Sequence, residues 1–152
     1  MNPKIFHLNN LTIPARENKK IIHCHGCYDL FHYGHLSHLQ EAKTYGDILV
    51  VTITADEYVG KGDGRPIIPT YQRTAIIAGL ECVDYVAISN YPTASHAIYT
   101  IRADIYVKGV DYVGHGIVQE EKDAIDAIGA KLLFTQTDKM STSEIIEKCK
   151  RV

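Results

Sequence analysis

The chain of 152 residues is long enough for one globular domain with a sizeable core, and it is short for two. Its 16 lysines and arginines against 18 aspartates and glutamates give a formal net charge of -2, so no whole-surface field would attract nucleic acid or an anionic membrane. No apolar run is long enough to cross a bilayer, and the four cysteines lack a disulfide-framework spacing. We therefore expect a soluble, cytoplasmic protein that neither binds nucleic acid nor enters a membrane.

Residues 1–20 contain a short apolar patch and then a basic linker, which predicts an N-terminal arm that packs locally, followed by one domain over residues 21–152. Apolar β-branched runs then alternate with stretches that carry apolar residues at three- and four-residue intervals. The runs predict strands at 21–24, 47–54, 84–88, 104–109 and 130–135, and the stretches predict helices at 34–45, 70–80, 93–101, 117–128 and 141–150. Because parallel neighbours need crossover connections, this alternation predicts a Rossmann-like, doubly wound α/β domain with about five parallel strands and helices on both faces.

In an open parallel sheet the ligand crevice lies beyond the carboxyl ends of the strands. Four predicted loops should meet there: HGCYDLFHYGH after the first strand, ADEYVGKGDGRP after the second, KGVDYVGHG after the fourth and QTDKMSTS after the fifth. They contain most of the glycines and several lysines. Backbone N–H groups, cations and helix N-termini all favour anions, so this edge of the sheet is predicted to bind one.

The segment HCHGCYDLFHYGHLSHLQEAK (23–43) allows three interpretations, of which two are disfavoured. A zinc site would combine Cys24 and Cys27 with the histidines, but only four residues separate Cys27 from His32, against about twelve or more in finger-type sites. A redox pair would need the CxxC at a helix start, where the helix dipole lowers a thiol pKa, and here a further loop intervenes. Cys24, His23 and His38 are better explained as a small core residue and partly exposed polar residues.

Phosphate binding is the third interpretation. His32 and His35 lie three residues apart at a predicted helix start, so they can point the same way while the helix N-terminus adds partial positive charge. Gly26 and Gly34 have no side chain and let the backbone approach a ligand closely. This arrangement suits a polyphosphate, although on spacing alone such a cluster can also arise by coincidence.

The residues also resemble a known family. GCYDLFHYGH (26–35) resembles the HxGH signature of the cytidylyltransferase-like nucleotidyltransferase superfamily. KGDGRPIIPTYQR (61–73) and IRADIYVKGVDY (101–112) resemble segments of the adenylyltransferase domain of the ADP-heptose synthases, and DKMSTSEII (138–146) resembles their last loop and helix start. These motifs follow one another over residues 21–149, nearly the whole chain. Cytidylyltransferase-like domains of phosphonate pathways are also similar, and glycerol-3-phosphate cytidylyltransferase more distantly.

This resemblance implies an enzyme that transfers a nucleoside monophosphate from a nucleoside triphosphate to a phosphorylated sugar such as heptose 1-phosphate and releases pyrophosphate. ATP is slightly favoured as the nucleotide over CTP, Mg²⁺ would be carried by the nucleotide, and a homodimer is expected. One alternative is a CTP-dependent enzyme acting on glycerol 3-phosphate, another small phosphate or a phosphonate. An alternative of another class is a non-catalytic, nucleotide-binding regulatory module.

The resemblance also implies the site. His32, His35 and Lys61 would be catalytic, with the two imidazoles donating hydrogen bonds to phosphate oxygens, more strongly if protonated. Residues of all four loops would bind the nucleotide, namely Gly26, Cys27, Tyr28, Gly34, Arg65, Arg73, Lys108, Gly109, Asp111, Lys139, Ser141 and Thr142. Plainer roles stay open for several of them: an ion pair that fixes its helix for Arg73, a helix N-cap for Thr142, and a solvated charged loop for Lys61 and Arg65. No protein ligand to a metal is predicted.

Overall fold

The computed structural model describes residues 2–11, 13, 16–114, 116–137 and 140–152. Its centre is a parallel sheet of six strands in the order β1-β4-β3-β2-β5-β6. The strands are β1 (Ile5–His7), β2 (Ile21–Gly26), β3 (Ile48–Thr54), β4 (Tyr85–Ser89), β5 (Ile105–Lys108) and β6 (Lys131–Phe134). The helices are α1 (Tyr33–Lys43), α2 (Thr70–Ala78), α3 (Ser95–Ile101), α4 (Gln119–Ile128) and α5 (Thr142–Cys149).

Helices cover both faces of the sheet, because the buried strands are apolar on both sides. Helices α1 and α2 pack Leu39 and Ile77 into one core with Ile22 of β2. On the opposite face, Ile98 of α3 and Ile125 of α4 belong to a second apolar cluster. The predicted doubly wound α/β fold is therefore confirmed.

The N-terminal arm differs from its prediction. Ile5–His7 form β1, a parallel edge strand beside β4 in which Ile5 lies opposite Val86. The strand continues into a 3₁₀ turn that buries Leu8. The sheet thus has six strands rather than about five, since backbone hydrogen bonds to β4 hold a segment too short to show a strand pattern of its own. The division of the chain at residue 20 stays a prediction.

The order of the strands places a crevice at β2. This strand has β3 on one side and β5 on the other, so the chain winds outward in opposite directions from it. The carboxyl end at such a switch point is where open α/β sheets bind ligands. In the described part of the chain, no helix combines the length and the apolar character that crossing a membrane requires.

Candidate active site

A cavity of about 340 Å³ opens at the carboxyl ends of β2, β5 and β6. Most of the predicted site residues line it: Gly26, Cys27, Tyr28, His32, Gly34, His35, Lys61, Lys108, Gly109, Asp111, Ser141 and Thr142. Arg65 and Arg73 are not among the described residues that line it, and Lys139 lies outside the described residues. The four loops predicted to meet therefore do so.

Two stacked imidazoles form one wall of the cavity. The rings of His32 and His35 have centroids 3.8 Å apart and an angle of 18° between their planes. His32 is the N-cap of α1: its Nδ1 accepts a hydrogen bond from the backbone N–H of Gly34 at 3.1 Å, and Nδ1 of His35 accepts from the backbone N–H of His32 at 3.4 Å. A neutral ring whose Nδ1 is an acceptor carries its hydrogen on Nε2, so each ring keeps its Nε2–H for a ligand.

Burial keeps both rings neutral. Loss of solvent and then the charge of Lys61 lower the pKa of His32, whereas loss of solvent, His32 and Lys61 lower the pKa of His35 to about 3. Nε2 of His32 is buried and has no hydrogen-bond partner among the described residues. Protonation would place a hydrogen on the nitrogen that caps the helix, so we expect the rings to donate through Nε2–H in their neutral form.

The glycines of the motif are needed for close contacts within the protein. A Cβ atom on Gly34 would lie 3.0 Å from Cβ of Met140 and 3.0 Å from Cε1 of His32. A Cβ atom on Gly26 would lie 3.0 Å from Cε2 of Tyr28. The absence of side chains thus brings the loop before α5 against the start of α1, whereas the sequence had suggested only a close approach to a ligand.

Arg73 takes the alternative role, that of fixing its helix. Its side chain is 1% exposed, and all five guanidinium N–H groups are used within the protein. They donate to the carbonyl oxygens of Ile68 (2.8 Å), Cys27 (2.6 Å) and Thr54 (2.9 Å), to Oδ1 of Asp56 (2.6 Å) and to Oγ1 of Thr70 (3.1 Å). No N–H is left for a nucleotide, which corrects the predicted binding role. Arg73 instead joins α2 to the loop after β2.

Asp29 anchors the same loop and accounts for Arg65. The buried carboxylate accepts hydrogen bonds from the backbone N–H groups of Ile67 and Ile68 at 2.9 Å and from Nε of Arg65 at 2.7 Å. Burial alone would raise the pKa of Asp29, but these donors bring it below the usual value. Arg65 is thus paired with Asp29 through Nε, while its Nη2 has no hydrogen-bond partner among the described residues, and its nucleotide contact stays a prediction. Oγ1 of Thr142 donates to the carbonyl of Asp29 at 2.9 Å and ties the start of α5 to this anchor.

Lys108 is a buried cation in the cavity wall. Its ammonium group lies 2.9 Å from Oε2 of Glu121 and 4.2 Å from the centre of the Tyr112 ring. The carboxylate and the ring face both attract the ammonium group. Gly109 follows it, and a Cβ atom there would lie 2.6 Å from Oδ1 of Asp111. The glycine therefore allows the Asp111 carboxylate to fold back over the end of β5.

Two further histidines line the cavity and were missed as site residues. Nδ1 of His38 is 2.8 Å from Oγ1 of Thr135, and burial lowers the pKa of His38 to about 4. His25 lies between two hydroxyls, Oγ1 of Thr52 at 2.8 Å and Oγ1 of Thr54 at 3.1 Å, and burial lowers its pKa to about 4. For His38 the sequence did contain an indication, since it follows His35 by three residues on the same helix face.

The hydroxyl of Thr52 is shared between two rings. Besides His25, it lies 2.8 Å from Nε2 of His23, which is 1% exposed. A hydroxyl has one hydrogen to donate and two lone pairs that accept, so it can donate to at most one of the two rings. His23, Thr52 and His25 therefore form one hydrogen-bonded chain beneath the cavity.

The geometry also bears on the metal and redox interpretations. Within the described ranges, no group of three or more His, Cys, Asp or Glu side chains could together hold a metal ion. Cys24 is fully buried in the apolar core, and burial followed by the neighbouring Cys82 raises the pKa of its thiol. A buried thiol in apolar surroundings is unreactive, as expected for a core cysteine.

Residues 23–148 match the family model described as cytidylyltransferase-like. The chain belongs to this family. It is 42% identical over 136 residues to the "Bifunctional protein HldE" of Geobacter metallireducens, a match that covers 88% of this chain and 27% of that protein. The protein of the same name from Helicobacter pylori strain P12 is 41% identical over 154 residues, covering 99% of this chain and 32% of its own length. The chain thus spans about a third of the length of these relatives.

Solved structures agree with the family. A lipopolysaccharide core biosynthesis protein from Thermoplasma volcanium superposes with a TM-score of 0.64 at 25% identity, covering 81% of this chain and 99% of that one. A pantoate-beta-alanine ligase from Francisella tularensis, complexed with beta-gamma ATP and beta-alanine, has a TM-score of 0.61 at 14% identity, covering 97% and 78%. The second likeness shows the fold alone. The predicted family and enzyme class, a nucleotidyltransferase, are confirmed.

Proposed function

We propose that the chain transfers adenosine monophosphate from ATP to a phosphorylated sugar such as heptose 1-phosphate and releases pyrophosphate. The observation that carries this proposal is the stacked pair of neutral imidazoles, His32 and His35, in one cavity with Lys61 and the start of α5. The sequence motifs shared with the ADP-heptose synthases and the similarity to two HldE proteins support the choice of nucleotide and acceptor.

The reaction needs little covalent chemistry from the protein. An oxygen of the acceptor phosphate attacks the α-phosphorus of the nucleotide, the bond from that phosphorus to the bridging oxygen breaks, and pyrophosphate leaves with the bonding electron pair. A phosphate monoester is already an anionic nucleophile near neutral pH, so no serine or cysteine nucleophile is required. The protein must align two polyanions and stabilise charge as it grows on the α-phosphate and the leaving oxygen.

The cavity residues suit these tasks. The Nε2–H groups of His32 and His35 would donate to oxygens of the reacting phosphates, and Lys61, in a loop between two glycines, would add a positive charge. Ser141 is the N-cap of α5, and within the described residues its side chain makes no capping hydrogen bond. Its hydroxyl and the first N–H groups of α5 would meet the β- and γ-phosphates.

Magnesium would come with the nucleotide. Asp111 is a carboxylate in the cavity wall, but among the described residues it is not part of a group of three metal-binding side chains. The described residues therefore do not form a metal cage. Mg²⁺ commonly binds through substrate phosphates and water, and we assign it that place.

Pyrophosphate release tests this proposal. The purified protein is incubated with Mg²⁺, one of ATP, CTP, GTP or UTP, and one of a panel of sugar phosphates, glycerol 3-phosphate and phosphonates. We expect turnover with ATP and a heptose 1-phosphate. Turnover restricted to CTP would instead support the cytidylyltransferase alternative. On the family resemblance we also propose a homodimer, which light scattering would test.

The same assay separates catalysis from binding. Thermal unfolding with each nucleotide shows which one binds, because a ligand stabilises the folded state by mass action. A nucleotide that raises the unfolding temperature but gives no pyrophosphate with any acceptor would support a regulatory module and contradict an enzyme. As a matched control, His7→Ala changes a histidine of the exposed edge strand β1 and should leave turnover unaltered.

A further inference from the structure

Helix α1 contacts the loop before α5 at two levels. We call residues 135–137 and 140–141 the α5 loop, and of these Thr135, Thr137, Met140 and Ser141 line the cavity. Near the histidines, the bare backbone of Gly34 lies against Met140. Further along the helix, the side chains of His38 and Glu41 bind the first residues of the loop, Thr135 and Gln136. One helix therefore carries the paired histidines and also holds the loop that faces them.

The second level is a pair of hydrogen-bonded contacts, one turn apart on α1. Nδ1 of His38 is 2.8 Å from Oγ1 of Thr135, and three residues later both carboxylate oxygens of Glu41 accept the backbone N–H of Gln136 at 3.0 Å. Hydrogen bonds to a charged acceptor are stronger than those between neutral groups. Gln136 directly follows Thr135, whose backbone N–H donates to the carbonyl of Lys108 in β5 at 3.0 Å. Glu41 thus fixes the point at which the loop leaves the sheet.

A third contact holds Glu41 itself. The hydroxyl of Tyr45, two residues beyond the end of α1, donates to Oε1 of Glu41 at 2.6 Å. Burial and this hydrogen bond raise the pKa of Tyr45 to about 12, so its hydroxyl keeps its hydrogen. Glu41 is not among the described residues that line the cavity. Any effect it has on a ligand must therefore pass through the loop.

We propose that Glu41 is a positioning residue for the nucleotide: by holding Gln136 against α1, it sets the distance between the paired histidines and the ligand-facing groups of the α5 loop. This inference rests on the proposed function, in which the loop and the start of α5 meet the β- and γ-phosphates. The KM for the acceptor would change little, because the proposed function gives the α5 loop contacts to the β- and γ-phosphates of the nucleotide and none to the acceptor.

The test compares Glu41→Ala, Glu41→Gln, Tyr45→Phe and Gln40→Ala in the full chain. Gln40→Ala is the matched control, because Gln40 is an exposed neighbour on the same helix. We expect Glu41→Ala to raise the KM for the nucleotide about tenfold with the KM for the acceptor within about twofold. Glu41→Gln keeps one oxygen acceptor and should fall between Glu41→Ala and the wild type. Tyr45→Phe should have a smaller effect than Glu41→Ala, and Gln40→Ala none.

A second readout does not need turnover. Amide hydrogen exchange of the free protein should become faster at Gln136 in Glu41→Ala and stay unchanged in Gln40→Ala. Nucleotide-induced stabilisation in thermal unfolding should decrease in Glu41→Ala, while the unfolding temperature without nucleotide stays close to the wild type. A lower unfolding temperature with an unchanged nucleotide KM would show a merely structural role and overturn the inference.

The two proposals fail differently. If the wild type binds and turns over a nucleotide and Glu41→Ala does so with the same KM, the inference is wrong and the proposed function stands. If no nucleotide stabilises the wild type, both are wrong, whatever the exchange at Gln136 shows.

Discussion

The two ends of the loop after β2 differ in how their polar atoms are used. At the first end, Arg73 and Asp29 are buried, and the protein itself supplies the partners of the Arg73 guanidinium and the Asp29 carboxylate. At the second end, His32 and His35 use only Nδ1 within the protein and keep Nε2 for a ligand. We call the first set the frame and the second the donor pair. Polar residues of the predicted motifs thus serve two purposes: those of the frame are fully hydrogen-bonded within the protein, and those of the donor pair keep one N–H for a ligand.

The buried frame holds the two histidines of the donor pair in position. Leaving a buried charge or donor without its partner costs more free energy than the intact pair contributes to stability. A frame in which every such group is paired therefore has one favoured arrangement. The donor pair is attached to it through the loop from Asp29 to His32. A ligand then meets N–H groups that are already in position, which is what stabilises a transition state.

Loss of the frame should have the largest effect. Arg73→Met leaves the carbonyl oxygens of Cys27 and Thr54 without their donor, and we expect the free energy of unfolding to fall by about 3–5 kcal/mol. Urea denaturation measures it. Arg151→Met, at the exposed C-terminus, should change the free energy by less than about 0.5 kcal/mol. Equal losses in both variants would contradict the role given to Arg73.

Changes to the donor pair should separate stability from activity. His32→Asn keeps a side-chain oxygen that can cap α1 but removes Nε2, so we expect kcat/KM to fall about 10²–10³-fold with little change in unfolding free energy. His32→Ala should show the same loss of activity and a further loss of about 1 kcal/mol in stability, because the cap is also removed. An active His32→Asn enzyme would show that the ring does not act on the phosphates.

Acid should destabilise the fold through the buried histidines. Burial lowers the pKa of His25 and His38 to about 4, from 6.5 in the unfolded chain, so between these values the unfolded state binds protons that the folded state does not. Stability is therefore full above pH 6.5 and declines as pH falls towards 4, by about 3 kcal/mol for each ring.

Urea titrations across this range measure the slope of stability against pH. His38→Gln removes one titrating ring and should reduce that slope by about 1.4 kcal/mol per pH unit. A slope that His38→Gln leaves unaltered would mean that His38 is protonated in the folded protein as readily as in the unfolded chain.

Lys61 should give the smallest effect, because its loop is exposed to solvent and salt screens its charge. We expect Lys61→Ala to lower kcat/KM about tenfold, to lose part of that difference at high salt and to leave stability unchanged. Lys122→Ala, an exposed lysine of α4, is the control. A loss that does not depend on ionic strength would assign Lys61 a direct hydrogen bond in place of a screened charge.

Most of the fold could be read from the sequence, because buried parallel strands are continuous apolar runs separated by amphipathic helices. The strand predicted over 47–54 is observed as Ile48–Thr54, and the helix predicted over 70–80 as Thr70–Ala78. The edge strand Ile5–His7 was missed. Three residues carry no periodicity, and only their pairing with β4 makes them a strand.

The site could be predicted only in part. The loops that meet at the cavity follow from the parallel sheet, and the two imidazoles from their spacing at a helix start. The role of Arg73 could not be decided, because its acceptors are mostly backbone oxygens, which no residue type reveals, and one of them belongs to Cys27, 46 residues away. His38 was given a plain role because the sequence does not show that Thr135 lies beside it.

The hydroxyl of Thr52 couples two imidazoles that are otherwise separate. Since it can give its single hydrogen to only one ring, a His25 whose Nδ1 accepts that hydrogen requires His23 to donate from Nε2. A ligand that reorients the upper ring would reverse the lower one as well. Nitrogen-15 resonances of the two side chains should then shift together, and Thr52→Val should make them independent.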